Sequence, residues 1–229
     1  MADQNVSNER KKELEQIDPF QESLLKALAY AGENKKPIFL ILGAIVVVGV
    51  IFSGIMFSFK KSENTASDLV SKAVAKYSQA IDPAKGFETV KGDFETVFSD
   101  YSNTSAGKIA RVKFAKICFD AGQYDRAFEL YKEALDEFKN DSGMKNFLLS
   151  SLGHVSQAKN DLDKAKSYFL QIETGNSNLL KDDARFALAG LYEISNDMES
   201  SLKMYEKIVN DHENSIYRGI AESKISGAK

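Results

Sequence analysis

The chain has 229 residues, with 30 lysines and arginines against 33 aspartates and glutamates, for a formal net charge of −3. That balance leaves no basic face broad enough for nucleic acid. One cysteine, Cys118, excludes a disulfide within the chain, and three prolines with no tryptophan suit a mostly helical fold.

Residues 1–36 read as a polar leader. The first 17 are too polar to bury a core of their own. Asp18-Pro19-Phe20-Gln21 then has the form of a helix start: a carboxylate to cap free amides, a proline at the first helical position, and a capping-box glutamine. Phe20, Leu24, Ala27, Leu28 and Ala31 follow at helical spacing and predict a short amphipathic helix over 19–31, ended by Gly32. Three roles fit it: a helix on a membrane surface, a partner contact, or an inert turn beside the next segment.

No charge occurs between Lys36 and Lys60. The intervening residues 37–59 would form a helix about 34 Å long, enough to cross a hydrocarbon core of roughly 30 Å. A buried helix of a soluble protein rarely runs so long without a polar residue. A cleaved signal is disfavoured by the long leader and by Lys60-Lys61-Ser62-Glu63, which offers no small-residue cleavage site. The expectation is therefore one uncleaved transmembrane helix with Lys35, Lys36, Lys60 and Lys61 at its ends. Three lysines flank it closely on each side, so charge does not decide orientation. Gly43, Gly49 and Gly54 lack the four-residue spacing of a close-packing dimer motif.

Residues 62–229 carry apolar positions at helical period, broken by short polar turns that themselves recur. With the chain aligned on Ala127, Ala165 and Ser201, small residues stand twelve earlier, at Ala115, Gly153 and Ala189. Aromatic residues stand four later, at Tyr131, Phe169 and Tyr205, and apolar ones seven later, at Ala134, Ile172 and Ile208. Before each anchor lies a turn containing Gly122, Asn160 or Asn196. Small side chains let two antiparallel helices approach, and the aromatic ring fills the space one turn on. Helix pairs are predicted at approximately 65–100, 105–139, 143–173 and 180–210, with a capping helix at 215–225. About five residues would link Lys60 to the first of these helices. Pairs of this size bury their apolar faces only by stacking.

These positions resemble the tetratricopeptide repeat. The resemblance rests on Phe114, Ala115, Gly122, Tyr124, Ala127, Tyr131 and Ala134 in one unit, and on their counterparts in the next two. It departs at Arg111 and Arg185, where the family carries a large residue, and at Cys118 and Ser156, where it carries tyrosine. The likeness implies an all-α solenoid whose first helices line a concave protein-binding groove. Carried over by position, the groove would hold Ile109, Val112, Lys116 and Phe119, then Phe147, Ser150, His154 and Gln157, then Asp183, Phe186, Gly190 and Glu193. The three phenylalanines either bind there or pack between pairs. The clamp that such repeats use for acidic tails needs lysines and asparagines on successive helices, and only Lys116 comes near that pattern.

No catalytic or metal site is expected. His154, His212 and Cys118 are not at ligand spacing, and the GxxxxGK[ST], HExxH and GxSxG motifs are absent. Cys118 reads as a small buried hydrophobe. No cofactor and no small-molecule substrate are expected.

The full layout resembles the YfgM-like ancillary subunits of the bacterial Sec translocon, including Phe98-Ser99-Asp100-Tyr101 before the small-residue turn Ser102-Asn103-Thr104. That likeness implies a single-pass inner-membrane protein with a cytoplasmic leader and a periplasmic array. It also implies contact with the translocon, a periplasmic chaperone or exported chains. The alternative is a structural scaffold for a cell-envelope, division or secretion complex.

Overall fold

The stretch Lys60-Lys61-Ser62-Glu63-Asn64 is polar, but it contains no glycine or proline to stop a helix. In the computed structural model, which describes residues 19–228, helical structure continues through it. The predicted link between the apolar run and the array is therefore absent. Both lie on one helix, because polarity alone does not break the backbone ladder. Among the described residues there are ten helices and no strand.

The chain divides after Ser58. In the first unit, α1 spans Pro19–Glu33 and runs through Gly32, which was expected to end it. The proposed cap at Asp18 and the polar residues 1–17 lie outside the described residues. Asn34 interrupts the helix, and α2, Lys35–Ser78, follows for 44 residues. Two backbone bonds cross the junction, from Asn34 N–H to the Tyr30 carbonyl and from Ile38 N–H to the Asn34 carbonyl. Pro37 has no N–H to offer Glu33. The apolar part of α2 is long enough to cross a membrane, and none of it is buried.

The second unit begins with the rest of α2, whose Ala66, Val70 and Ala73 are buried. Asp82 and Pro83 then start α3, Pro83–Asp100, with the Asp82 carboxylate accepting from Ala84 N–H at 2.9 Å. Helices α4 (Ser105–Asp120) and α5 (Tyr124–Glu137) form the next pair. They are followed by α6 (Ser142–Ala158) with α7 (Leu162–Glu173), then α8 (Lys181–Ile194) with α9 (Met198–Asp211). Helix α10, Arg218–Gly227, packs on α9. From α3 onward each helix packs against the next in the chain.

The turns within the three pairs share one geometry. Gly122, Asn160 and Asn196 all have left-handed φ, between 57° and 74°. The N–H of the following residue, Gln123, Asp161 or Asp197, bonds the carbonyl of Cys118, Ser156 or Tyr192 at 2.8–2.9 Å. This is the Schellman closure, which satisfies orphan helix-end carbonyls and favours glycine or asparagine at its left-handed residue. Asp161 and Asp197 then cap the next helix through Lys164 and Ser200 N–H. One more left-handed residue, Leu180 (φ 60°), precedes α8.

The aligned small, aromatic and apolar positions are core positions. Ala115, Ala127, Ala134, Ala165, Phe169, Ile172, Ala189 and Ile208 are fully buried, and Tyr131, Ser201 and Tyr205 nearly so. Gly153 is buried against the Phe169 ring. The two arginines that depart from the repeat pattern are ion-paired. Arg111 pairs with Glu133 and Glu137 across its own pair, and Arg185 with Asp211 at the equivalent place. Arg185 also reaches back to Glu173, at 2.7 Å.

Candidate functional site: a groove between α4 and α6

Residues three or four apart on a helix share a face. Lys116 and Phe119 of α4 therefore point the same way, as do Phe147, Ser151, His154 and Ala158 of α6. Together with Gln157 and with Tyr131 from α5, they enclose a groove of about 590 Å³. Phe147 is 42 % exposed, whereas Tyr131 is 2 % exposed and belongs equally to the core. Burial pushes the Tyr131 phenol up to about 12, so it stays neutral at any physiological pH.

The polar groups on the rim are already partnered. Lys116 forms an ion pair with Asp120 and lies 5.9 Å from the centroid of the Phe119 ring. His154 Nδ1 is 3.2 Å from Gln157 Oε1, and its ring meets Phe169 edge-on at 5.1 Å. The Ser151 hydroxyl donates to the Phe147 carbonyl. No groups of three or more metal-ligating side chains occur among the described residues. Chemically, the groove offers apolar walls, Phe119 and Phe147, with hydrogen-bonding groups between them. That composition suits an apolar group flanked by hydrogen-bonding ones.

The structure brings together Lys116, Phe119, Phe147, His154 and Gln157 from the sequence-predicted set. Val112 is instead in the core, and Ile109 is half-buried and does not line the groove. Phe186 stacks on Tyr217 at 4.3 Å beneath the C-terminal segment. Glu193 accepts from Lys224 at 2.9 Å and from the Tyr205 hydroxyl at 3.1 Å, tying α10 down. The Lys224 hydrogen bond holds its carboxyl below the usual range. Gly190 is half-buried on the same helix.

Ser150 does not line the groove either. It is buried, and its hydroxyl donates to Asp183 at 3.1 Å, joining α6 to α8. The groove face of α6 uses the four-residue step from Phe147 to Ser151 instead of the three-residue step to Ser150. Ser151 and Ala158 were missed for that reason. Stepping by four from Phe147 and from His154 would have found both.

Cys118 is fully buried, as expected, and burial pushes its thiol up to about 12. It lies one residue before Phe119 but turns into the core and does not line the groove.

No family model matches the chain, and neither does any curated protein. Among solved structures, the chain is similar to the crystal structure of BtubC (BKLC) from P. vanneervenii. The two share 15 % identity and a TM-score of 0.48 over 69 % of this chain and 74 % of that one. A likeness this distant carries no functional inference.

Proposed function

We propose that the chain is a membrane-anchored tetratricopeptide-like solenoid that binds segments of other proteins and catalyses nothing. The observation that carries this reading is the groove between α4 and α6, with its two phenylalanine walls and its rim of already partnered polar groups. Its occupant would be a short apolar stretch of a partner. Each inserted side chain contributes about 1.5–3 kcal/mol if fully desolvated, which suits weak, reversible binding. The repeat assignment is supported by three pairs in register, each with a buried small residue, a buried aromatic and a left-handed turn.

Anchorage is supported by the uncharged residues 37–59 at the head of α2. In this reading the segment spans a bacterial inner membrane once, with the leader in the cytoplasm and the array in the periplasm. The groove then serves Sec-dependent translocation or the folding of envelope proteins, in contact with the translocon, a periplasmic chaperone or the exported chains. Reporter fusions at the two ends test the topology.

Photocrosslinkers placed at Phe119 and at Phe147 in intact cells test the partner. Capture of a translocon subunit, envelope chaperone or exported chain is expected at both positions and not at the exposed Glu95 of α3. The same yield at Glu95, or none of these partners at Phe119 and Phe147, would reject the reading.

A further inference from the structure

Helix α1 presents an apolar stripe. At about 100° per residue, Phe20, Leu24, Ala27, Leu28 and Ala31 fall on one side. Glu22, Lys26 and Glu33 fall within about 40° of one another on the opposite side. Glu22 and Lys26 close an ion pair across one turn at 2.7 Å. On that stripe, Leu24 and Leu28 are 50 % and 61 % exposed.

The neighbouring segment of the chain indicates the occupant of this stripe. Only Asn34, Lys35 and Lys36 separate α1 from the uncharged run beginning at Pro37. If that run enters the hydrocarbon, α1 ends within about one helical turn of the headgroups. The interruption at Asn34, reinforced by the missing N–H of Pro37, permits a change of direction there. Two carboxylates and one lysine give α1 no excess of positive charge, so acidic headgroups would not hold it. Its leucines would.

We infer that α1 is an interfacial helix: it lies in the membrane surface with Leu24, Leu28, Ala27 and Ala31 against the acyl chains, and Glu22, Lys26 and Glu33 in water. The inference rests on the reading of residues 37–59 as a membrane span. The partner surface is neutral phospholipid, bound by apolar burial.

The absence of tryptophan from the sequence makes a direct test available. Leu28→Trp, Lys26→Trp and Val47→Trp each place one tryptophan in the full chain. Each variant is reconstituted in phosphatidylcholine vesicles with or without bromine on the acyl chains. Leu28→Trp should emit to the blue of Lys26→Trp and lose intensity in brominated lipid, while Lys26→Trp should not. Equal behaviour of the two, whether both quenched or both unquenched, would overturn the inference. That includes the case in which a protein absent from the vesicles is the true occupant. A need for acidic lipid before Leu28→Trp is quenched would also overturn it. Val47→Trp separates the two levels of reading. If it is quenched while Leu28→Trp is not, the interfacial helix falls alone. If it is unquenched, the span itself falls.

Discussion

Replacing Gly153 by alanine pits two effects of known sign against each other. In a helix interior, glycine to alanine is favourable by about 1 kcal/mol, because the unfolded chain loses freedom. At Gly153, however, an added Cβ would sit 2.6 Å from Phe169 Cζ and 2.8 Å from both Cε atoms. Normal contact begins near 3.4 Å, so the ring must move by most of an ångström. Phe169 is fully buried and abuts His154, so it has little room to move. Overpacking of that kind costs about 1–3 kcal/mol. With a contact this short the upper part of that range applies, and the net loss is about 1–2 kcal/mol. For a domain of this size the midpoint should fall by roughly 2–8 °C.

Gly92→Ala and Gly190→Ala are internal controls, since a Cβ at either meets nothing within 4 Å. Both should raise the midpoint, through about 0.5–1 kcal/mol of added stability. Thermal melts of the detergent-solubilised chain, followed by far-UV circular dichroism, read all three. A Gly153→Ala variant that melts above the parent, like its controls, would refute the close approach of α6 and α7 on which the pair packing depends.

Other substitutions probe the same packing and its ion pairs. Ala127→Leu and Ala189→Leu replace fully buried side chains and should each lower stability by about 1–3 kcal/mol in the same melts. Ser150→Ala should cost about 1 kcal/mol, since it removes a donor to the Asp183 carboxylate, which also accepts from Tyr217 at 2.8 Å. At Glu173, burial pushes the carboxyl up, but hydrogen bonds from Arg185 and Lys207 outweigh it and hold it below its ordinary value. Its contribution is therefore complete above the unfolded pKa of about 4.3 and is lost as pH falls through the lower folded value. Glu173→Gln should cost about 3 kcal/mol at pH 7 and flatten the decline of the midpoint in that acid window. An unchanged decline would assign the acid sensitivity elsewhere. The Cys118 thiol, at about 12, should resist maleimide at pH 8 in the native protein and react fully once unfolded.

Much of the architecture is local and could be read from the chain. The three Schellman turns need only a residue that tolerates positive φ after a helix, and Gly122, Asn160 and Asn196 announce them. Ala115, Gly153 and Ala189 mark close helix approaches because volume at a crossing is a one-residue property. The apolar run at the head of α2 is likewise a matter of composition.

Tertiary structure decided what composition and spacing leave free. The polar residues after Phe59 read as a link, yet α2 is continuous there, and Glu63 accepts from Ser105 and Ala106 N–H at 2.7 and 2.8 Å. A helix start capped by a carboxylate some forty residues away leaves no local signal. Which of Ser150 and Ser151 faces the groove was also undetermined, because the two are only about 100° apart on α6. The choice is made by Asp183 of α8, which draws Ser150 inward. Phe186 and Glu193 occupy positions expected to line a groove, but Tyr217 and Lys224 of the C-terminal segment cover or pair them. Sequence periodicity defines a face; its neighbours alone determine whether that face binds or packs.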